Sequence, residues 1–174
     1  MSHLGAGNLP EARRVIAAVP PAVDRVALMV NMAAYGDLYW VLDEATQRAL
    51  LDLPVSAFDD YRVAWTLVRT QVYHLRGNNF LARTWADSAH QAIVAQLRQV
   101  PNDAQLHAFR GLASAYLGRR AEAIAEGERA VELVPVSRDA FNGPYLEHLL
   151  TRIYILLGES EKALGRLEPL LQRP

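Results

Sequence analysis

The 174-residue chain contains no cysteine. That excludes a disulfide framework and a thiolate metal site. Lys162 is its one lysine among 18 basic residues, and the formal net charge is −1. A chain without a basic excess lacks the electrostatic footprint of a dedicated nucleic-acid binder. It likewise offers no cationic face to an anionic membrane. No apolar run approaches the ~18 residues that a membrane-crossing helix needs. The opening "MSHLGAGNLPEARR" has no apolar stretch of the kind a signal peptide carries. Cytoplasmic is therefore the expected location. No segment alternates apolar and polar residues with period two, so no strand is expected.

Catalytic signatures are equally scarce. The sequence has no GxSxG elbow, phosphate-binding loop, dinucleotide fingerprint or kinase motif. Its five histidines, His3, His74, His90, His107 and His148, show no HExxH-like spacing. His148 follows Glu147 directly, and adjacent residues on a helix point apart. The acid pairs Asp43–Glu44 and Asp59–Asp60 fall where helices should begin, where the helix dipole favours a negative charge. Capping is the simpler account of them. Trp40, Trp65 and Trp85 lie in helical segments and read as packing residues. No enzyme activity, cofactor or metal is expected.

What the chain does have is a ladder of glycines. Gly7, Gly36, Gly77, Gly118 and Gly158 are spaced by 29, 41, 41 and 40 residues. Five residues beyond them stand Ala12, Val41, Ala82, Ala123 and Ala163. Small or apolar residues recur nine and twelve beyond most of them, with Arg48 the exception. Prolines close the units: Pro20, Pro54, Pro101, Pro135 and Pro174. Glycine ends a helix cheaply because it adopts the left-handed cap conformation without strain. Alanine on the inner face of the next helix lets the two helices cross closely. Proline pushes the residue before it out of helical geometry and stops that second helix. Each unit is then a helical hairpin that cannot bury its apolar face alone, so neighbours must stack.

The stretches "SAYLGRRAEAIAEGERAVELVP" and "TRIYILLGESEKALGRLEPLL" resemble tetratricopeptide (TPR) repeats. Tyr154, Gly158, Ala163, Leu167 and Leu170 match the family pattern in the last unit. Gly111, Gly118, Ala123, Ala130 and Pro135 match it in the unit before, and Tyr73, Gly77, Ala82, Ala86 and Ala89 in the one before that. The unit around Gly36 is degenerate. The family period is ~34 residues, so three spacings here are long. The likeness extends to the C-terminal TPR arrays of large bacterial signalling proteins, which follow serine/threonine kinase or winged-helix regulator domains.

The resemblance implies an all-α, right-handed α-solenoid of about nine helices in one domain, 1–174. Its parts would be a leading half-repeat (1–20), a degenerate hairpin (22–54) and three hairpins at 57–100, 102–135 and 141–174. Expected helices run about Leu9–Val19, Val23–Tyr35, Tyr39–Leu51, Ala57–Leu75, Asn79–Gln99, Asp103–Leu117, Arg120–Val134, Pro144–Leu157 and Glu161–Gln172.

The family's concave groove is lined by the first helix of each hairpin. Counting back from the glycines places Leu67, Gln71 and His74 there, then Gln105 and Leu112 with Tyr116 beside them, then Tyr145, His148 and Arg152. Such a surface would hold an extended or helical peptide, with Arg152 offering a fork to a carboxylate. The lysine- and asparagine-rich clamp of chaperone-binding members is absent from these positions. The leading expectation is a non-catalytic scaffold for a protein or peptide partner, with no nucleic acid or membrane. The rivals are a regulatory or sensory module of a larger bacterial signalling protein, and a self-association module. The first rival follows from the leading half-repeat, which suggests a piece of a longer protein. The second follows from the uncapped end "EPLLQRP", whose Leu170 and Leu171 would pair with another copy.

Overall fold

The structure, a computed structural model, describes residues 2–172. All regular elements among them are helical. Contacts divide the chain into two compact units, Met1–Asn79 and Phe80–Pro174. The boundary falls inside the expected 57–100 hairpin.

The first unit begins with a single turn, α1 (Ser2–Gly5), and α2 (Leu9–Ala17). The Asn8 side chain accepts from Glu11 N at 3.2 Å and caps α2, with Pro10 in its first turn. Next, α3 (Arg25–Val30) is capped by Asp24, which accepts from the amides of Val26 and Ala27. It widens into a π-helical turn, Asn31–Tyr35. Asp43 caps α4 (Glu44–Asp52) by accepting from Thr46 N at 2.8 Å. A 3₁₀ turn, Val55–Phe58, leads to α5 (Arg62–Leu75).

Two helices here are shorter than the sequence suggests. Residues 39–42 form a turn and bend before the cap at Asp43, rather than the start of α4. The helix expected from Ala57 is interrupted at Asp59 and Asp60, both in the left-handed region with φ of 53° and 57°. That conformation is rare without glycine, and aspartate is among the residues that tolerate it best. The break turns Phe58 into a core made with Val30, Ala33, Leu42, Leu50, Val68 and Val72.

The second unit holds α6 (Asn79–Leu97), α7 (Ala104–Leu117), α8 (Arg120–Leu133), α9 (Asn142–Leu156) and α10 (Ser160–Leu171). Along α6, Ala82, Ala86, Ala89, Ile93 and Leu97 are buried, a stripe at helical spacing. The joint between α7 and α8 is Gly118, with φ of 77°. Its amide donates to Ala115 O at 3.0 Å, and Arg119 N donates to Ser114 O at 2.9 Å. This pair of bonds satisfies carbonyls that the helix end would otherwise leave open, and it needs a left-handed residue between them. The same bond pair recurs at Gly7, Gly77 and Gly158. Gly36 breaks the ladder: its φ is −93°, and the left-handed residue there is Asp37.

α7 packs against α8, α9 lies against both, and α10 packs on α9. Ala123 and Ala130, the alanines five and twelve beyond Gly118, are 0% exposed. α9 starts where Asp139 accepts from the amides of Phe141 and Asn142. α10 runs through Pro169, whose missing N–H leaves Gly165 O without its helical donor. Pro174, expected to close the last unit, lies outside the described residues.

Candidate functional site

The nine residues expected to line a groove fall on three helices. Leu67, Gln71 and His74 belong to α5 in the first unit. Gln105, Leu112 and Tyr116 are on α7, and Tyr145, His148 and Arg152 on α9. Leu112 is fully buried, and Leu67 and Gln71 are each 4% exposed. These three present no surface to a partner, which corrects the count made from the glycines. The cause at Leu112 is geometric. α7 is covered by α8 on one side and α9 on another, so its apolar stripe is wider than a single-sided contact requires.

Gln105, His74 and His148 are exposed, and Tyr116, Tyr145 and Arg152 are half-buried. His74, Tyr116, Tyr145, His148 and Arg152 each already have an interaction within the protein, so Arg152 is not an idle fork. Two of the nine, Gln105 and Tyr145, come together in one cleft. They stand 13 residues before Gly118 and Gly158, at equivalent places on α7 and α9. Asp103, Ala104, Val134, Asp139, Asn142 and Leu146 complete its lining. Asp103 caps α7 through Leu106 N at 2.8 Å, and Asp139 lies in the turn that leads into α9, so the cleft is walled by the starts of two helices. Hydrogen bonds from the Asn142 side chain and amide and from Phe141 N hold the Asp139 carboxyl below its usual range. The cleft therefore offers a fixed carboxylate, amide groups, a phenol ring and apolar surface.

The second unit also holds a charged network that sequence reasoning missed. Arg110 on α7 donates to Glu122 Oε1 at 2.7 Å and pairs with Glu126 Oε1 at 2.9 Å, both on α8. His90 on α6 contacts Glu122 Oε1 at 2.9 Å. His107 contacts Glu126 Oε2 through Nδ1 at 2.6 Å and the Pro101 carbonyl through Nε2 at 3.0 Å. Burial pushes the Glu122 carboxyl up, but hydrogen bonds and charge from His90 and Arg110 outweigh it and hold the group below its usual range. The partners are 12 to 32 residues apart in sequence, and no local motif links them. The network joins three helices, and its carboxylates are engaged by cations rather than left to act on a ligand. No group of three or more His, Asp or Glu suited to a metal ion occurs among the described residues.

In the first unit, the polar knot lies on α5. Arg69 Nη2 donates to Leu51 O at 2.7 Å and Leu53 O at 2.6 Å, and its guanidinium lies 4.2 Å from the centre of the Trp65 ring. Trp65 Nε1 donates to the same Leu53 O at 3.0 Å. The two side chains tie down the end of α4, where the last carbonyls have no intrahelical donors. Trp65 is thus a packing residue with one polar duty, close to what the sequence suggested.

No helix among the described residues is long and apolar enough to cross a membrane. A scan against protein-family models found no match to the chain, and neither a search of curated proteins nor one of solved structures found any.

Proposed function

We propose that the chain is a non-catalytic, TPR-like scaffold, a right-handed solenoid of helical hairpins that binds an extended protein segment or peptide. The observation that carries this reading is the cleft where Gln105 and Tyr145 meet. Two equivalent positions of successive hairpins converge there beside the buried seam of α7, α8 and α9. A peptide laid across them would find donors and acceptors from Gln105, Asn142 and Asp139, with the Tyr145 ring as an apolar platform. Rigid helix starts hold these groups in place, so little ordering is left to oppose binding.

The test places a photo-crosslinking amino acid at Gln105 and captures partners from native lysate. A specific partner that is lost from a Gln105→Ala/Tyr145→Ala variant of unchanged stability supports the reading. Equal recovery by the variant removes the cleft from the account.

A second reading, self-association, is favoured by α10. Its Leu164 and Leu171 are 53% and 76% exposed and lie seven residues apart on one face. Sedimentation across a hundredfold range of concentration decides it. A constant monomer mass rules out pairing through α10.

A further inference from the structure

A second cleft lies wholly within the first unit, where α2, α3 and the start of α4 converge. Ile16, Leu28 and Met29 form apolar walls, and Arg13, Arg25 and Asp43 supply the charge. Arg13 is pre-positioned: its Nε donates to Val41 O at 2.9 Å and its Nη2 approaches Trp40 O at 3.5 Å. That leaves its Nη1 with no hydrogen-bond partner among the described residues. Asp43 is committed to capping. Hydrogen bonds from the Thr46 side chain and amide are the main causes holding its carboxyl below the usual range. The Arg25 side chain makes no hydrogen bond or ion pair with a described residue. It is the first residue of α3, where the helix dipole disfavours a cation. The Arg25 side chain is exposed at the edge of the cleft that it lines.

We propose that this cleft binds an aliphatic carboxylate of about leucine size. The chain or side chain would lie on Ile16, Leu28 and Met29, and the carboxylate would lie between Arg25 and Arg13. Two guanidinium groups against one capped carboxylate leave the cleft with a net positive charge, which selects an anionic head. A planar fork suits a carboxylate because two parallel N–H donors meet its two oxygens. The apolar walls reject a purely polar anion. The same chemistry occurs in a free short-chain fatty acid and in the C-terminal leucine of a peptide. The site is separate from the Gln105–Tyr145 cleft and does not depend on it.

The experiment titrates the full chain with hexanoate, hexanamide, N-acetyl-Ala-Leu and N-acetyl-Ala-Leu amide, and follows amide NMR shifts. The expected result is saturable shifts confined to residues 13–17, 25–29 and 41–46 with one or both carboxylates, and at least about tenfold weaker binding of the matching amides. Hexanoate alone points to a free acid. Binding of the dipeptide points to a peptide terminus. Arg25→Glu should weaken the carboxylate about tenfold or more while leaving the urea midpoint unchanged, since Arg25 holds nothing in place. Met29→Trp should block both carboxylates by filling the cleft. The proposal is overturned by the absence of saturable shifts, by amides binding as well as carboxylates, or by unchanged binding to the folded Arg25→Glu variant.

Discussion

Gly111 of α7 and Gly127 of α8 approach so closely that a Cβ on Gly111 would stand 3.0 Å from the Gly127 amide nitrogen. The same Cβ would stand 2.9 Å from Ala123 O and 2.8 Å from Ile153 Cδ1 of α9. Three helices therefore meet at one point, and two of the contacts are backbone. Gly111→Ala must separate α7 from α8, and overpacking of this kind costs about 1–3 kcal/mol. The gain in helix propensity from glycine to alanine returns about 1 kcal/mol. A net loss of stability in urea denaturation is the expected outcome. At Gly127 the opposing atoms are the Cδ1 ends of Ile153 and Leu150, which can rotate away. Gly127→Ala should be the milder change. Equal or reversed costs would refute the proposed crossing geometry.

Arg69 is expected to dominate the stability of the first unit's interior. Truncation to alanine removes two charge-assisted bonds and leaves the carbonyl of Leu51 with no replacement donor from that side chain. A loss of about 2–4 kcal/mol follows. Trp65→Phe keeps the ring under the guanidinium but loses one bond to Leu53 O, at a cost of about 1 kcal/mol. The double variant should cost less than the sum, because both side chains serve Leu53 O. A strictly additive cycle in denaturant unfolding would show that they act independently.

Acid should loosen the α6–α7–α8 network. The Glu122 carboxyl is held below its usual value of 4.5 in the folded chain. A depressed folded pKa contributes stability that is present above the unfolded value and is lost as pH falls through the folded one. Stability should therefore decline below about pH 4.5. Glu122→Gln should flatten that decline, measured as the difference in urea midpoint between pH 7 and pH 3.5. Identical acid limbs in the two proteins would mean that Glu122 is not a contributor.

Alkali should act on the other hairpin. Tyr154 of α9 is buried and donates to Glu128 Oε1 of α8 at 2.8 Å. Burial first, then the bond to Glu128 and its charge, push the phenol from 10.0 up to about 12. A raised folded pKa gives stability that is complete below pH 10 and is lost as pH rises from 10 through 12. Tyr154→Phe removes that loss and costs about 1 kcal/mol at neutral pH by taking the donor from Glu128. Thermal melts of both proteins from pH 8 to 11.5 compare the slopes. Parallel slopes would exclude Tyr154 as the source.

The hairpin corners were legible because they are local. Gly118 and Gly158 each act through carbonyls within five residues, so a short window contains the whole cause. The helices of the second unit accordingly end within about two residues of expectation. Gly36 misled because a glycine permits the left-handed conformation without compelling it, and the π-helical turn before it hands that role to Asp37. Asp59 and Asp60 misled because two left-handed aspartates in succession have no periodic signature.

The candidate site was less legible. Counting from glycines identified Gln105 and Tyr145 but also selected Leu112, because spacing along one helix does not reveal how many neighbours cover it. The contacts of Arg69 with Leu51 and of His90 with Glu122 cross 18 and 32 residues, and polar faces carry no period that would link them.

The sequence by itself determined the corners at Gly7, Gly77, Gly118 and Gly158, because left-handed glycine and small inner-face alanines act through sterics within a few residues. Only the tertiary structure decided which surfaces remain open, which carboxylates are neutralised and where Gly111 meets Gly127. Those depend on a third helix arriving from far along the chain, and no local pattern encodes its position.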